Sequence, residues 1–406
     1  MNRLSLAFCF FAVACTGPTS GNPKGGNATG VAVINSDYKS TAVSLLNAAS
    51  AQLQQDDCID SGALTPTLSL ALSGDVVLAS QPQPSGDLLL IDRTNAALVW
   101  VSPTTCKVTR ELAVGTGFDA NPHDVVADSP QKAYVTRYKT NLKPTGRPEA
   151  RDQGEDLLII NPSQPAVIGR VDLAPYATSV GGVQLQAHPD RAIKANGSIF
   201  VLLGNANADF SIIGPPRVVI VDSSQDKVVG MIDPPGLTNC GGLDYLEVSR
   251  TLIVICGGDF NLDPAAQLAG SGLALYDVSE SVPKLAKTIP ASILGGRPIG
   301  FTFSVLSQEL AVASTSGDFS GTPPDALWKI NLVTGSATKL ADADGGFVLG
   351  GAVADNARNH VLVTNAAMAT PHMSIFGTSE TGSFSELYKL DTNPKSGLPP
   401  RLVGWY

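Results

Sequence analysis

The sequence predicts an all-β chain folded as a single β-propeller of seven four-stranded blades, and three observations carry that prediction. The first is the stretch from Pro122 to Leu173. It holds four short runs rich in Val, Ile, Leu and Tyr, each bounded by Pro, Asn, Asp, Ser or Gly, the pattern of strands joined by turns. The second is a polar residue that closes an apolar run: Asn47, Ser102, Asn161, Asp222, Asp277, Asn331 and Asp391, spaced 54 to 61 residues apart. Seven marks at near-constant spacing imply seven modules. The third is composition: 40 Gly and 28 Pro in 406 residues with only 16% charged side chains, as a turn-dense β protein requires. A four-stranded sheet cannot bury both faces alone, so such modules pack radially into a ring. A six-bladed ring without the first module, or an eight-bladed ring, is the alternative count.

The amino terminus stands outside this pattern. Met1-Asn2-Arg3 supplies one positive charge, and Leu4 to Ala14 is an apolar run too short to span a bilayer as a helix. Residues 1–14 therefore read as a secretory signal. Ala12-Val13-Ala14-Cys15 resembles the lipobox of bacterial lipoproteins, which implies lipidation at Cys15. Thr16 after that Cys then implies the outer membrane, with attachment through the lipid anchor only. An ordinary A-x-A cleavage site and a soluble secreted protein are the alternative. Residues 15–30 are rich in Gly, Ser, Thr, Asn and Pro without apolar periodicity, a flexible tether in composition. The propeller domain covers 31–406.

Within that domain the modules follow in order. A second mark, the runs AYVTRY at 133, IFVLLG at 199, LIVICG at 252, LAVAST at 310 and VLVTNA at 361, precedes the first mark in five modules. Tyr134-Val-Thr-Arg137 and Val363-Thr-Asn365 resemble the YVTN family of β-propeller repeats, which share a WD40-like architecture. The resemblance implies architecture over 31–406 and no particular activity. The first module starts at its second strand, Val31 to Asn35, so either blade 1 is short or Arg401 to Tyr406 joins it and closes the ring. Ser44 to Gln55 fits a helix on propensity alone, but its place on the repeat favours a strand and a turn.

Cys9 lies in the signal and Cys15 at its end, which leaves four cysteines, an even number in an exported chain. Cys240 and Cys256 flank an inner strand, a turn near Ser249 and a second strand, and so face each other across a hairpin at disulfide distance. Cys58 and Cys106 occupy the matching turn after the third strand of modules 1 and 2, within reach at the rim. No C-x-x-C or Cys/His cluster supports the rival reading, a metal site.

Net charge is −9, which argues against nucleic acid and against electrostatic docking to anionic lipid. Gly115-Thr-Gly117-Phe-Asp-Ala120 fits G-x-G-x-x-A, but Asn121-Pro122 follows where a helix must run. No catalytic Ser, phosphate-loop or zinc-protease motif is present. Asp342-Ala-Asp344-Gly345 lacks the further ligands of a calcium loop and reads as a turn. No cofactor is implied.

Strand alternation places the second-to-third-strand loops on the same face as the connections into each inner strand. Three such loops repeat a motif: Asp209-Phe210, Asp259-Phe260 and Asp318-Phe319. They are either Asx turns with a Phe covering the blade end or a ring of carboxylates and aromatics at a binding mouth. Leading into inner strands are His123-Asp124, Asp190-Arg191 and Arg297, which either satisfy loop backbone or form a site. The longest insertion, 137–154, carries Arg137, Lys139, Lys143, Arg147 and Arg151, the one concentrated basic stretch. Long loops are more often functional than short turns. The function expected from these features is a binding or scaffolding module at the cell envelope. Its partner is another envelope or surface protein, or a small ligand at the propeller mouth. The alternative is a propeller enzyme of lactonase-like or quinoprotein-like type, since His188-Pro189 resembles a motif of lactonase-type propellers. Convergence of His123, Asp190, Arg191 and Arg297 on one pocket distinguishes the two.

Overall fold

The apolar runs are continuous rather than alternating because blade packing buries both of their faces. Leu252 to Cys256 in the second strand of blade 5, and Leu157 to Ile160 in the third strand of blade 3, are buried without interruption. Only the outermost strands alternate, as in Lys227–Ile232. The computed structural model describes residues 28–406 apart from 48, 49, 66, 319, 380 and 381, and without the side chain at 301. The signal, most of the tether, Cys15 and Phe319 thus lie outside the described residues.

Seven antiparallel four-stranded sheets form the ring. The inner strands of blades 2 to 7 are Val76–Leu78, Pro122–Ser129, Pro189–Ala195, Cys240–Leu246, Ile299–Val305 and Leu349–Asp355. Blade 1 is composite. Its outer three strands are Gly30–Ser36, Thr41–Asn47 and Leu53–Asp60, and its inner strand is the carboxy-terminal Pro400–Trp405. Val33 pairs with Val403 and Val31 with Trp405, so the expected closure by 401–406 is present. Trp405 Nε1 donates to Ala354 O of blade 7 at 2.9 Å, and Thr392 Oγ1 donates to buried Asn35 Oδ1 at 2.7 Å. Outside the blades are one two-stranded hairpin, Ser179–Val180 with Val183–Gln184, and a short helix, Pro264–Ala269, capped by the Asp263 carboxylate.

Two expectations need correction. Six of the polar marks close third strands, but Asp391 follows an outer strand, Phe384–Leu390. The third strand of blade 7 is His372–Thr378; its His, Met and Ser hide it from an apolar-run search, and the count survives because the next run is in the same blade. Cys58 lies on the outer strand of blade 1 rather than in a turn.

Both disulfides are nevertheless present, Cys58–Cys106 and Cys240–Cys256, the latter between directly paired strand positions. Cys58–Cys106 is the covalent form of a recurrent contact, in which one blade's outer strand docks on the third-to-fourth-strand turn of the next. Arg110 Nη1 donates to Pro162 O at 3.0 Å between blades 2 and 3, and Lys287 Nζ to Val333 O at 2.6 Å between blades 5 and 6. Tyr388 OH donates to Ser50 O at 3.5 Å across the closure from blade 7 to blade 1.

The disulfide loops differ in length, with separations of 48 and 16 residues. Chain-entropy reasoning gives roughly 4 kcal/mol for the longer and roughly 3 kcal/mol for the shorter. Denaturant unfolding of Cys58→Ser/Cys106→Ser is therefore expected to show the larger loss. A larger loss from Cys240→Ser/Cys256→Ser contradicts this ranking.

Candidate functional site

The loop face carries the second-to-third-strand loops and the blade-to-blade connections; the opposite, turn face carries the hairpins. On the loop face, blades 3 and 4 bring together His123, Asp124, Asp190 and Arg191. Each sits at the start of an inner strand, where the chain passes from a connection into the ring. The Asp124 carboxylate accepts from Ser80 N at 2.8 Å, Ser80 Oγ at 2.5 Å and Ala192 N at 3.1 Å. One side chain thereby links the inner strands of blades 2, 3 and 4. Burial pushes its carboxyl above the usual range, opposed by Arg191 and these hydrogen bonds. Arg191 Nη1 stands 3.9 Å from Asp124 Oδ2, and burial lowers its own pKa.

Beside this pair, His123 Nδ1 lies 2.8 Å from Asp190 Oδ1. A carboxylate accepts, so Nδ1 carries the proton and the neutral ring keeps its lone pair on Nε2. Thr136 holds the layer beneath, donating to Asp190 O at 2.7 Å and accepting from Asp124 N at 2.8 Å. Tyr138 stacks on His123 at 4.2 Å, and packs against His188 at 4.6 Å. His188 in turn meets Phe210 at 5.1 Å, and its Nδ1 lies 3.0 Å from Tyr138 O. Burial lowers the pKa of His123 despite Asp190, and pushes His188 down to about 4.

This cluster is closed. His123 is 2% exposed, and Asp190, Arg191 and His188 are also buried. The Nε2 atoms of both histidines and Nε of Arg191 are shielded and have no hydrogen-bond partner. Among the described residues no group of three His, Cys, Asp or Glu is placed to hold a metal. Arg297 does not share the contacts of this cluster; it donates to Ser316 O in its own blade.

The long basic loop divides in two. Arg137 is fully buried: Nε and Nη2 reach the two oxygens of Asp156 at 2.7 Å, while Nη2 and Nη1 bind Arg151 O and Val114 O. It anchors the base of the loop instead of offering a surface charge. Lys139 pairs with Asp119 at 2.5 Å, and Arg151 donates to Ile168 O at 3.2 Å. Lys143 and Arg147 are exposed, next to Leu142 at 78% exposure.

The three Asp residues of the repeated motif make the same turn. Asp209, Asp259 and Asp318 accept from the backbone N–H two residues on, at 3.1, 2.9 and 2.8 Å, the Asx geometry. Phe210 is folded over His188, whereas Phe260 is 46% exposed beside Leu262 at 50%. Tyr138 and Ser80 were not among the sequence candidates. Tyr134, Thr136 and Tyr138 share one strand face at period two, and that spacing is the available signal for Tyr138. Ser80 carries none.

Comparison with solved structures places this geometry in context. The chain is similar to a candidate 6-phosphogluconolactonase from Bacteroides uniformis, at 13% identity and a TM-score of 0.58, covering 93% of this chain and 100% of that one. It is also similar to a candidate 6-phosphogluconolactonase from Bacteroides fragilis, at 11% identity and a TM-score of 0.55, covering 93% and 98%. A protein from Lactobacillus plantarum matches at 12% identity and a TM-score of 0.57, covering 94% and 100%. The likeness is one of fold. No family model matches the sequence, and no curated protein matches it.

His188 gives the cluster a pH signature. Its folded pKa of about 4 lies below the ordinary 6.5, so the unfolded chain takes up the proton first as pH falls. The stabilisation is complete above about pH 6.5 and is lost progressively toward pH 4, by up to about 3 kcal/mol. Asp124, with a raised folded pKa, acts in the opposite sense at the acid end. His188 has φ +46°, a conformation Asn tolerates. Urea unfolding at pH 7 and pH 4.5 is expected to show a loss smaller by about 2 kcal/mol in His188→Asn than in the unaltered protein. Equal losses contradict the assignment.

Proposed function

We propose that the chain is an exported propeller whose loop face is a docking surface for an envelope or surface partner, without a catalytic role. The observation that carries this reading is the division of labour on that face. His123, Asp124, Asp190 and Arg191 are sealed and mutually paired, while apolar and basic side chains of the neighbouring loops reach solvent alongside the turn-forming Asp209, Asp263 and Asp318. Leu142, Phe260 and Leu262 are exposed, and Lys143 and Arg147 project from the same face in a chain of net charge −9. Exposed aromatic and aliphatic anchors beside local positive charge suit an acidic partner with apolar contacts of its own.

Two disulfides suit an oxidising, exported environment. No helix among the described residues is long and apolar enough to cross a membrane. With Cys15 lipidated, as the lipobox resemblance implies, the tether joins the propeller on the turn face, where Thr29 N donates to Tyr406 O at 2.6 Å. The loop face is then the face opposite the attachment point, free to meet the partner.

A second reading follows from the His123–Asp190 pair and from the fold neighbours described as candidate lactonases. A neutral His with a free Nε2 lone pair is a general base in waiting, provided Tyr138 and Phe210 move aside to admit a lactone. Two experiments separate the readings. Lys143→Glu/Arg147→Glu and Phe260→Ser are expected to cut cross-linked partner capture from envelope extracts at least tenfold without changing the melting temperature. Val248→Ser on the turn face is expected to leave capture intact. Loss with Val248→Ser alone puts the docking surface on the other face. Hydrolysis of 6-phosphogluconolactone above the spontaneous rate, abolished by His123→Asn, favours the enzyme.

A further inference from the structure

A second feature of the loop face lies between blades 6 and 7, on different residues from those of the docking surface. There the outer strand of blade 6, Ala337–Asp342, and the third strand of blade 7, His372–Thr378, leave a cleft of about 50 Å³. One wall is apolar, formed by Leu327, Leu349 and Phe376. His372 is buried in the other wall, opposite Asn365 in the strand pair. Its Nδ1 lies 2.7 Å from Thr370 O. A carbonyl can only accept, so Nδ1 donates, and in the neutral tautomer the lone pair falls at Nε2. That Nε2 is shielded from solvent and has no hydrogen-bond partner, an arrangement native structures rarely leave unfilled.

The rim is charged. Asp342, Asp344, Glu386 and Lys389 line the cleft. Lys339 binds Asp342 at 2.8 Å, so two cations face three carboxylates and the rim stays negative. A ligand that suits this lining donates hydrogen bonds, carries positive charge and brings apolar surface. It is not a metal ion held by side chains, since no three His, Cys, Asp or Glu are suitably placed among the described residues.

We propose that this cleft binds the end of a primary alkylammonium. One N–H donates to His372 Nε2, the others turn toward the Asp344 and Glu386 carboxylates, and the first methylenes lie on Leu327, Leu349 and Phe376. The volume admits the ammonium head and a short length of chain, and the remainder leaves along the rim. A free polyamine and a lysine side chain of another protein present this same chemistry.

The test is a titration of the folded protein followed by the NMR signals of the His372 imidazole. Propylammonium is expected to shift the Nε2 resonance and to saturate, whereas propyltrimethylammonium, with the same charge and no N–H, is not. His372→Gln is expected to weaken propylammonium binding at least tenfold. The exposed-site variant Asp344→Asn/Glu386→Gln, with an unchanged melting temperature, is expected to weaken it at least fivefold. Tighter binding of putrescine than of Nα-acetyl-lysinamide supports the proposal with a polyamine as source, and the reverse order supports it with a lysyl side chain. Equal binding of propyltrimethylammonium, unaltered affinity in both variants, or saturation by Zn²⁺ with no response to amines overturns it. Failure here leaves the docking surface of blades 3 and 5 untouched, because the two sites share no residue.

Discussion

The structure around blades 2 to 4 depends on one buried carboxylate. Asp124 accepts hydrogen bonds from the backbone of blades 2 and 4 while standing on blade 3. A propeller has few backbone hydrogen bonds between blades, so side chains must fix the angle of each blade to the next. An ion this deeply buried is tolerable only with several donors around it and a countercharge nearby. Ser80, Ala192, Val125 N and Arg191 supply them. Removing any one partner leaves charge stranded in the core, whereas an intact set fixes three blades in register.

That requirement explains the rest of the cluster. Arg191 must lie next to Asp124, which brings Asp190 to the neighbouring position and sets it against His123. The His123 imidazole then needs cover, and Tyr138, His188 and Phe210 form a stacked layer above it. The same logic recurs at the base of the long loop, where Arg137 and Asp156 are wholly buried together. Charged residues near the ring therefore organise the loop face from beneath. In the proposed docking role, recognition falls to side chains farther out.

Much of the architecture was legible because blade interiors enforce continuous apolar runs with polar residues at the strand ends. Reading failed where that enforcement weakens. His372–Thr378 is a third strand with mixed chemistry, so the outer run ending before Asp391 took its place in the count. The disulfide partners were legible from hairpin geometry at Cys240 and Cys256. At Cys58 the bulged strand shifted the residue out of the expected turn. Among site residues, the sequence brought His123, Asp124, Asp190 and Arg191 to one face. It could not distinguish buried charge from exposed charge, because Arg137 and Lys143 look alike until Asp156 is found opposite the first. Arg297 joined the candidates through topological equivalence alone, which says nothing of where a long side chain finds its acceptor.

The direct measurement is the reactivity of the four histidines toward diethylpyrocarbonate in the folded protein, read by mass spectrometry. A sealed, structural cluster predicts that partly exposed His360 is modified first. His123 and His188 then react only at the rate of global unfolding, and denaturant accelerates these two together. Modification of His123 in the native state at a rate near that of His360 contradicts this, and means that the His123–Asp190 pair opens to solvent as a working active site must.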